Sequence, residues 1–340
     1  MKLLILRLAR LLGLFGIARH LTGKDLRILG YHGIWFLNGH FGNRLFMSPA
    51  TFDSRMEWLS RSPYRVLNLD QAIERISKGA LEKHCVVVTI DDGWYGTYRY
   101  MLPVLEKYGL AATLYVYTGA VDSQRPLLNI LVPALMALSD CNVFEFRNEG
   151  SEPRQFRLTK PAERAQASDA FLQRLEVLDE EGVVSAVRQL ALSLGFDYDT
   201  LIASRQFGFM TYEEIGDAAQ RGLDIQLHSH SHRLEVAAPE KIESEIAVNR
   251  ARLSPFVRAP LRHFCYPSGV HCPEMYAYLK RSGVLSATTV SAGLVPSDAE
   301  LYALNRILDG EGTTQVEFEA ELSGFIELVR RAKRVLKLPT

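Results

Sequence analysis

The sequence predicts an α/β barrel: a distorted (β/α)7-like ring of mainly parallel strands that carries a largely helical insertion. Three observations lead there. Short β-branched or aromatic runs recur along the chain and end at turn signals. Segments with apolar residues at helical spacing lie between them, and alternating strands and helices imply parallel pairing with right-handed crossovers. The 340 residues exceed an ordinary single domain, whereas barrels often run to about 250 residues as one unit.

Residues 1–25 precede the barrel, which is assigned residues 26–340. In "MKLLILRLARLLGLFGIARHLTG" the apolar run is broken by Arg7, Arg10 and Arg19, leaving less than the about 18 residues a membrane span needs, and no small-residue cleavage site follows. This stretch reads as one amphipathic basic helix. It either packs on the domain or makes peripheral contact, through residues 1–20, with the cytoplasmic face of a membrane. The expected location is therefore cytoplasmic, and under the second alternative peripheral at the inner face of the membrane.

The strands are expected at "LRILGYH" (26–32), "CVVVTIDDG" (85–93), "ATLYVYTG" (112–119), "LDIQLHS" (223–229), "HFCYPSG" (263–269), "LSATTV" (285–290) and "YALNRIL" (302–308). Helical spacing and closing glycines mark "YGTYRYMLPVLEKYG", "TYEEIGDAAQRG" and "PEMYAYLKRSG", with "PEKIESEIAVNRARL" between the last two. Residues 121–206 break the rhythm, since crossovers are normally short. They read as a helix, a hairpin over "NVFEFRNEGSEPRQFRLT" and two more helices, and are expected to cap the barrel mouth or shape substrate access.

Composition narrows the function classes. Apolar residues make up 47% and charged residues 23%, so a sizeable core can form. Basic and acidic residues, 39 of each, cancel, which argues against nucleic acid as a partner. The four cysteines are scattered with no CxxC pair and read as reduced core thiols.

In a parallel barrel, functional groups gather where strands end. Asp91 and Asp92 end one apolar run, His228 ends another, "YPSG" follows the Cys265 strand, and His32 ends the first. Two adjacent carboxylates at a strand end cannot point the same way. One can bind a metal while the other accepts a proton as general base, or the pair can serve as a helix cap or turn. "HSHSH" places His228, His230 and His232 at alternate positions, a third of the nine histidines. An extended chain would put all three on one face, the pattern of two-metal hydrolases. If the chain leaves the strand at His228, then His228 and His232 face one metal at a spacing of four. Imidazole nitrogens with a carboxylate oxygen suit zinc or a similar divalent ion.

The segment "VVVTIDDGWYGTYRYMLPVLEKYGLAATLYVYTG" resembles the opening of the NodB-homology polysaccharide deacetylases, carbohydrate esterase family 4, whose first motif reads TFDDG and here reads TIDDG. "HSHSH" resembles their second motif, "FCYPSG" their third, and "YALNRI" their LPRI segment, while "LGYHGI" matches the exopolysaccharide-associated branch. The resemblance implies Asp92, His228 and His232 as ligands of one divalent metal, most simply Zn2+, and Asp91 as general base. The backbone amide of Tyr266 is implied as oxyanion donor. The family's third-motif arginine is absent, with Arg306 as its substitute, and the terminal Leu-His motif is absent, with His32 as its substitute for protonating the amine. Trp94 and Tyr95 could stack on a sugar.

The expected function is thus metal-dependent removal of N-acetyl groups from an amino sugar of a cell-surface polysaccharide or a lipid-linked precursor. The partner is an N-acetylated glycan. Two other readings stay open: a two-metal hydrolase of another class using His228, His230 and His232, and a catalytically decayed glycan-binding protein.

Overall fold

A computed structural model describes residues 1–147 and 152–336. Two compact units are present. The first comprises Met1–Ile34, Arg44–Ser123 and the chain from Met210 onward, and the second Trp35–Asn43 and Gln124–Phe209.

The first unit is built on seven strands: β1 (Arg27–Tyr31), β2 (Cys85–Ile90), β3 (Thr113–Val116), β4 (Asp224–Leu227), β5 (His263–Cys265), β6 (Ser286–Ala292) and β7 (Leu304–Leu308). Hydrogen bonding runs β1-β7-β6-β5-β4-β3-β2, and β2 returns to β1, which closes a seven-stranded parallel barrel. Closure is continuous from Arg27 opposite Val86 to Tyr31 opposite Ile90. The pair Arg65–Val66 adds a short extra ladder beside the start of β2.

Every residue of β1 and β2 is buried, as expected when side chains fill the barrel on one side and helices cover the other. Ile28, Val87, Tyr115, Cys265 and Leu304, from five strands, share one buried cluster. The barrel is therefore a packed core and not a pore. All seven strands run the same way, so Asp91, His228, Tyr266 and His32 leave their strands at one rim.

The helices start where local chemistry allows. Thr211 and Glu214 form a capping box ahead of Tyr212–Gln220, and Ser48 with Pro49 opens Pro49–Arg61. One expected element differs. Residues 1–25 do not form a single helix but two, Lys2–Leu11 and Leu14–Leu21. Gly13 lies between them at φ +74°, a left-handed conformation that ends a helix and that glycine adopts without a steric penalty.

In the second unit, Leu128–Leu138, Pro161–Leu175, Glu180–Ser193 and Tyr198–Ala203 are helical. The last has six residues, too few for periodicity to register in the sequence. Val143–Phe146 pairs antiparallel with Arg154–Arg157, and the hairpin's connecting residues 148–151 lie outside the described residues. Phe144, Phe146, Phe156 and Phe171 pack as an aromatic cluster. The Phe36 amide donates to Gln206 Oε1 at 2.7 Å, which ties residues 35–43 to the same unit.

At the start of β5, far along the strand from the rim, His263 is fully buried. Its Nδ1 lies 2.9 Å from Ser286 Oγ and its Nε2 3.0 Å from Asp70 Oδ1. Burial pushes the imidazole down to about 4 despite the carboxylate. An unfolded histidine titrates near 6.5, so between those values the unfolded chain binds a proton that the native chain refuses, and stability falls as pH drops. Urea unfolding at both ends of that window is expected to cost the wild type about 3 kcal/mol more than His263→Gln. Parallel losses in the two proteins would remove His263 as the cause.

Candidate active site

Asp91 follows β2 and keeps its ladder bond, its amide donating to the Tyr31 carbonyl at 2.9 Å. The carboxylate is 1% exposed. Arg306 meets it end to end, with Nη1 to Oδ1 and Nη2 to Oδ2 both 2.8 Å. The guanidinium crosses from β7 and donates through Nε to the Thr289 carbonyl at 2.8 Å. Gly30 makes room for it, because a Cβ there would lie 3.3 Å from Arg306 Nη1 and 2.6 Å from Leu308. On the other side, His32 Nε2 stands 3.3 Å from Asp91 Oδ2, and the Cys265 thiol is 3.7 Å from the same oxygen. Burial by itself would raise the Asp91 carboxyl, but the Arg306 charge, aided by His32, holds it below the usual carboxylate range. Burial also lowers the His32 imidazole, more than the nearby aspartates raise it.

Asp92 turns the opposite way. Its backbone is left-handed, φ +75°, which sends its side chain away from that of Asp91. The Trp94 indole N–H donates to Asp92 Oδ2 at 2.8 Å, leaving Oδ1 to face His228 Nε2 at 3.2 Å and His232 Nε2 at 3.4 Å. With protons on the two imidazoles to donate to it, the Asp92 carboxyl is held far below its ordinary value against the burial that would raise it. His228 continues from β4 with its Nδ1 2.8 Å from the Cys265 carbonyl. The chain then bends through Ser229 (φ +64°) and His232 (φ +57°). These left-handed bends bring the two histidines together, and the next helix begins only at Lys241. Seven non-glycine residues among those described have left-handed backbone, and four of them, Asp92, Ser229, His232 and Ser268, lie in these rim loops. Such conformations cost about 1–3 kcal/mol each and cluster at functional sites.

This donor set fits a cation. A carbonyl accepts only, so His228 Nδ1 carries its hydrogen toward Cys265, and a neutral imidazole then aims the Nε2 lone pair at the Asp92 oxygen. Two acceptors facing each other at 3.2 Å repel unless something positive lies between them. Without an ion, the His228 contact needs a proton on Nε2 as well, and Cys265 and Asp92 do raise this imidazole well above its ordinary value against the burial that would lower it. One divalent ion satisfies Asp92, His228 and His232 at once, and their donor atoms lie within 4.8 Å of one another.

His230 does not join them. Its Nδ1 is 3.1 Å from Thr118 Oγ1, and its amide and that of Ser231 donate to Glu245 Oε2 at 2.9 and 2.7 Å. Two expectations need correction. The Tyr266 amide is not available to an oxyanion, because it donates to the Thr288 carbonyl at 3.1 Å and extends the β5–β6 ladder. Pro267 has no N–H, so the next amide along the loop is that of Ser268, an exposed residue at φ +53°. Trp94 offers no stacking face for a sugar: it is 3% exposed and serves Asp92.

Sequence reasoning missed two residues of the helix Lys241–Leu253. The Asn249 side chain accepts from the His228 amide at 3.1 Å and donates to the Val116 carbonyl at 3.0 Å, binding the ends of β3 and β4 together. Glu245, one turn earlier, holds the His230–Ser231 amides. The available signal was a pair of polar residues four apart on one helix face, which is too common to single out.

The polysaccharide deacetylase family model matches residues 78–140, a span that includes the paired aspartates. A putative polysaccharide deacetylase of Bacillus subtilis, YxkH, is 22% identical over 298 residues, covering 87% of this chain and 75% of the relative. The poly-beta-1,6-N-acetyl-D-glucosamine N-deacetylase of Staphylococcus aureus is 30% identical over 78 residues, covering 23% of this chain and 27% of the relative. Among solved structures, the Streptococcus pyogenes deacetylase PplD superposes with a TM-score of 0.59 at 18% identity, over 88% of this chain and 99% of that one. The closed seven-stranded barrel and the paired aspartates at its rim accord with these matches, which make the chain similar to the polysaccharide deacetylases.

Proposed function

We propose that this protein removes N-acetyl groups from an amino sugar of a cell-surface polysaccharide or its glycan precursor, using one divalent cation held by Asp92, His228 and His232. The observation that carries the reading is the division between the two aspartates. Asp92 shares one oxygen with two imidazoles, while its neighbour is held ionised by a buried arginine that takes both of its oxygens. A divalent ion there supplies Lewis acidity, lowering the pKa of a water toward about 7 and polarising an acetyl carbonyl. Two imidazoles and a carboxylate suit zinc.

The chain's own groups account for the rest of the hydrolysis. Asp91 accepts the proton of the water that adds to the carbonyl carbon. The Ser268 amide donates to the resulting oxyanion, a contribution of roughly 3–4 kcal/mol for such a donor. His32 Nε2, in reach of Asp91, passes a proton to the amine as the C–N bond breaks and acetate leaves. The Staphylococcus aureus relative is named for poly-beta-1,6-N-acetyl-D-glucosamine, which makes N-acetylglucosamine oligomers the first substrates to try. Acetate release that stops with chelator and returns with zinc is the expected result; release indifferent to chelator overturns the reading.

Metal stoichiometry tests the ligand set. One ion per chain is expected, retained in His230→Ala. His232→Ala should weaken binding by more than the roughly 10- to 100-fold that loss of an outer partner costs. Two ions per chain, or loss of metal in His230→Ala, would favour a two-metal hydrolase instead.

A further inference from the structure

The helical pair Lys2–Leu11 and Leu14–Leu21 carries a surface that the site chemistry does not use. Its inner side is buried: Leu6, Ala9 and Phe15 cluster with Val316 and Ala320. Salt bridges from Lys2 to Glu317 at 2.8 Å and from Arg10 to Glu319 at 3.1 Å fix the first helix in place. The outer side is apolar as well. On the first helix and the residue after it, Leu4, Leu8, Leu11 and Leu12 are 62%, 49%, 82% and 71% exposed, and on the second Ile17 and Leu21 are 56% and 64% exposed. The spacings 4, 8, 11, 12 and 17, 21 each trace one helical stripe.

This is not ordinary scatter of surface leucines. Among the described residues 24 large apolar side chains are exposed, and ten of them fall within the first 21 positions. A helix that is apolar on opposite sides needs a second apolar environment besides the core it packs on. Among the described residues no helix is long and apolar enough to cross a membrane. Helices of ten and eight residues reach roughly 15 and 12 Å, against about 30 Å of hydrocarbon. Such a pair suits the plane of an interface, with leucine side chains dipping below the headgroups. Charge agrees with this: residues 1–24 contain Lys2, Arg7, Arg10, Arg19 and Lys24 and no acidic residue. Arg7 and Lys24 are in no ion pair among the described residues, so cationic side chains border the apolar stripes.

We propose that the outer face of this helical pair is an interfacial docking surface for a bilayer carrying anionic lipid headgroups. Apolar burial supplies the hold, and the basic residues select negatively charged lipid. The proposal is independent of the deacetylase chemistry and stands or falls apart from it.

Sedimentation of the purified full chain with vesicles tests it, using phosphatidylcholine alone and phosphatidylcholine with one part in three of phosphatidylglycerol. The wild type is expected to pellet with the anionic vesicles, less with the neutral ones, and less again as salt is raised. Leu8→Glu with Leu12→Glu changes two exposed side chains and should lower the bound fraction at least about tenfold, with melting temperature unchanged. An Arg7→Glu variant, with the leucines intact, should lose the preference for phosphatidylglycerol. The proposal is overturned if the wild type stays in the supernatant with anionic vesicles, or if the double variant pellets as the wild type does. It is also overturned if light scattering finds a wild-type dimer that the double variant abolishes, since a second copy would then cover the stripe.

Discussion

Asp91→Asn is expected to lower kcat/KM for acetate release by about 10²–10⁴-fold, the range for loss of a positioned general base, while the protein still binds its metal. The substitution keeps the side chain's size and leaves an amide oxygen for one Arg306 nitrogen, but it removes the lone pair that takes the water's proton. Asp92, His228 and His232 do not depend on Asp91 for their contacts, since Trp94 orients the first, the Cys265 carbonyl the second, and the Ser229 hydroxyl accepts from the His232 amide. Metal content therefore separates a lost base from a lost site. The variant also leaves the guanidinium of Arg306, fully buried, without its countercharge. Some stability is lost, and the assay belongs well below the variant's own melting temperature. Release within tenfold of wild type would remove Asp91 from the role of base.

The route to these residues shows what a sequence can display. Asp91 and Asp92 end a continuous apolar run and His228 ends the short strand Asp224–Leu227, and a polar cluster at a strand end is visible without any tertiary knowledge. Strand β2 is the clearest case, since burial on both faces writes itself there as the nearly unbroken β-branched run Cys85–Ile90. The Tyr266 amide was misassigned because hydrogen bonding to Thr288 is a property of the β5–β6 register, which no local pattern encodes. Gly13 illustrates a different failure. A glycine marks the break, yet the apolar spacing on either side is similar enough that the sequence reads as one helix running through. Asn249 and Glu245 act on strand ends well before them in the chain, so only the packing of their helix on the barrel gives them meaning.

Arg306 carries the second large effect, and it acts through Asp91 rather than on substrate. Arg306→Leu takes a charge out of a pair that is buried on both sides, 0% and 2% exposed. Removing one member of such a pair costs about 3–5 kcal/mol because the other is left charged in a poor solvent. Asp91 has a second way out: it can bind a proton. Without the guanidinium, the burial that now opposes Arg306 is countered only by the weaker pull of His32 and His228, and the Asp92 carboxylate next door adds to it. The carboxyl is then expected to rise by roughly 1–3 pH units. The sign follows from which form works. The base must be ionised, so raising its pKa moves the acid limb of kcat/KM toward higher pH. In the wild type, the depressed carboxyl contributes stability above its unfolded value, lost as pH falls through the folded one. Arg306→Lys should recover part of both effects, since an ammonium restores the charge but not the two-pronged geometry. A merely structural arginine would leave the limb in place while lowering the melting temperature. An unmoved acid limb in Arg306→Leu, with metal still bound, would separate Arg306 from the ionisation of Asp91.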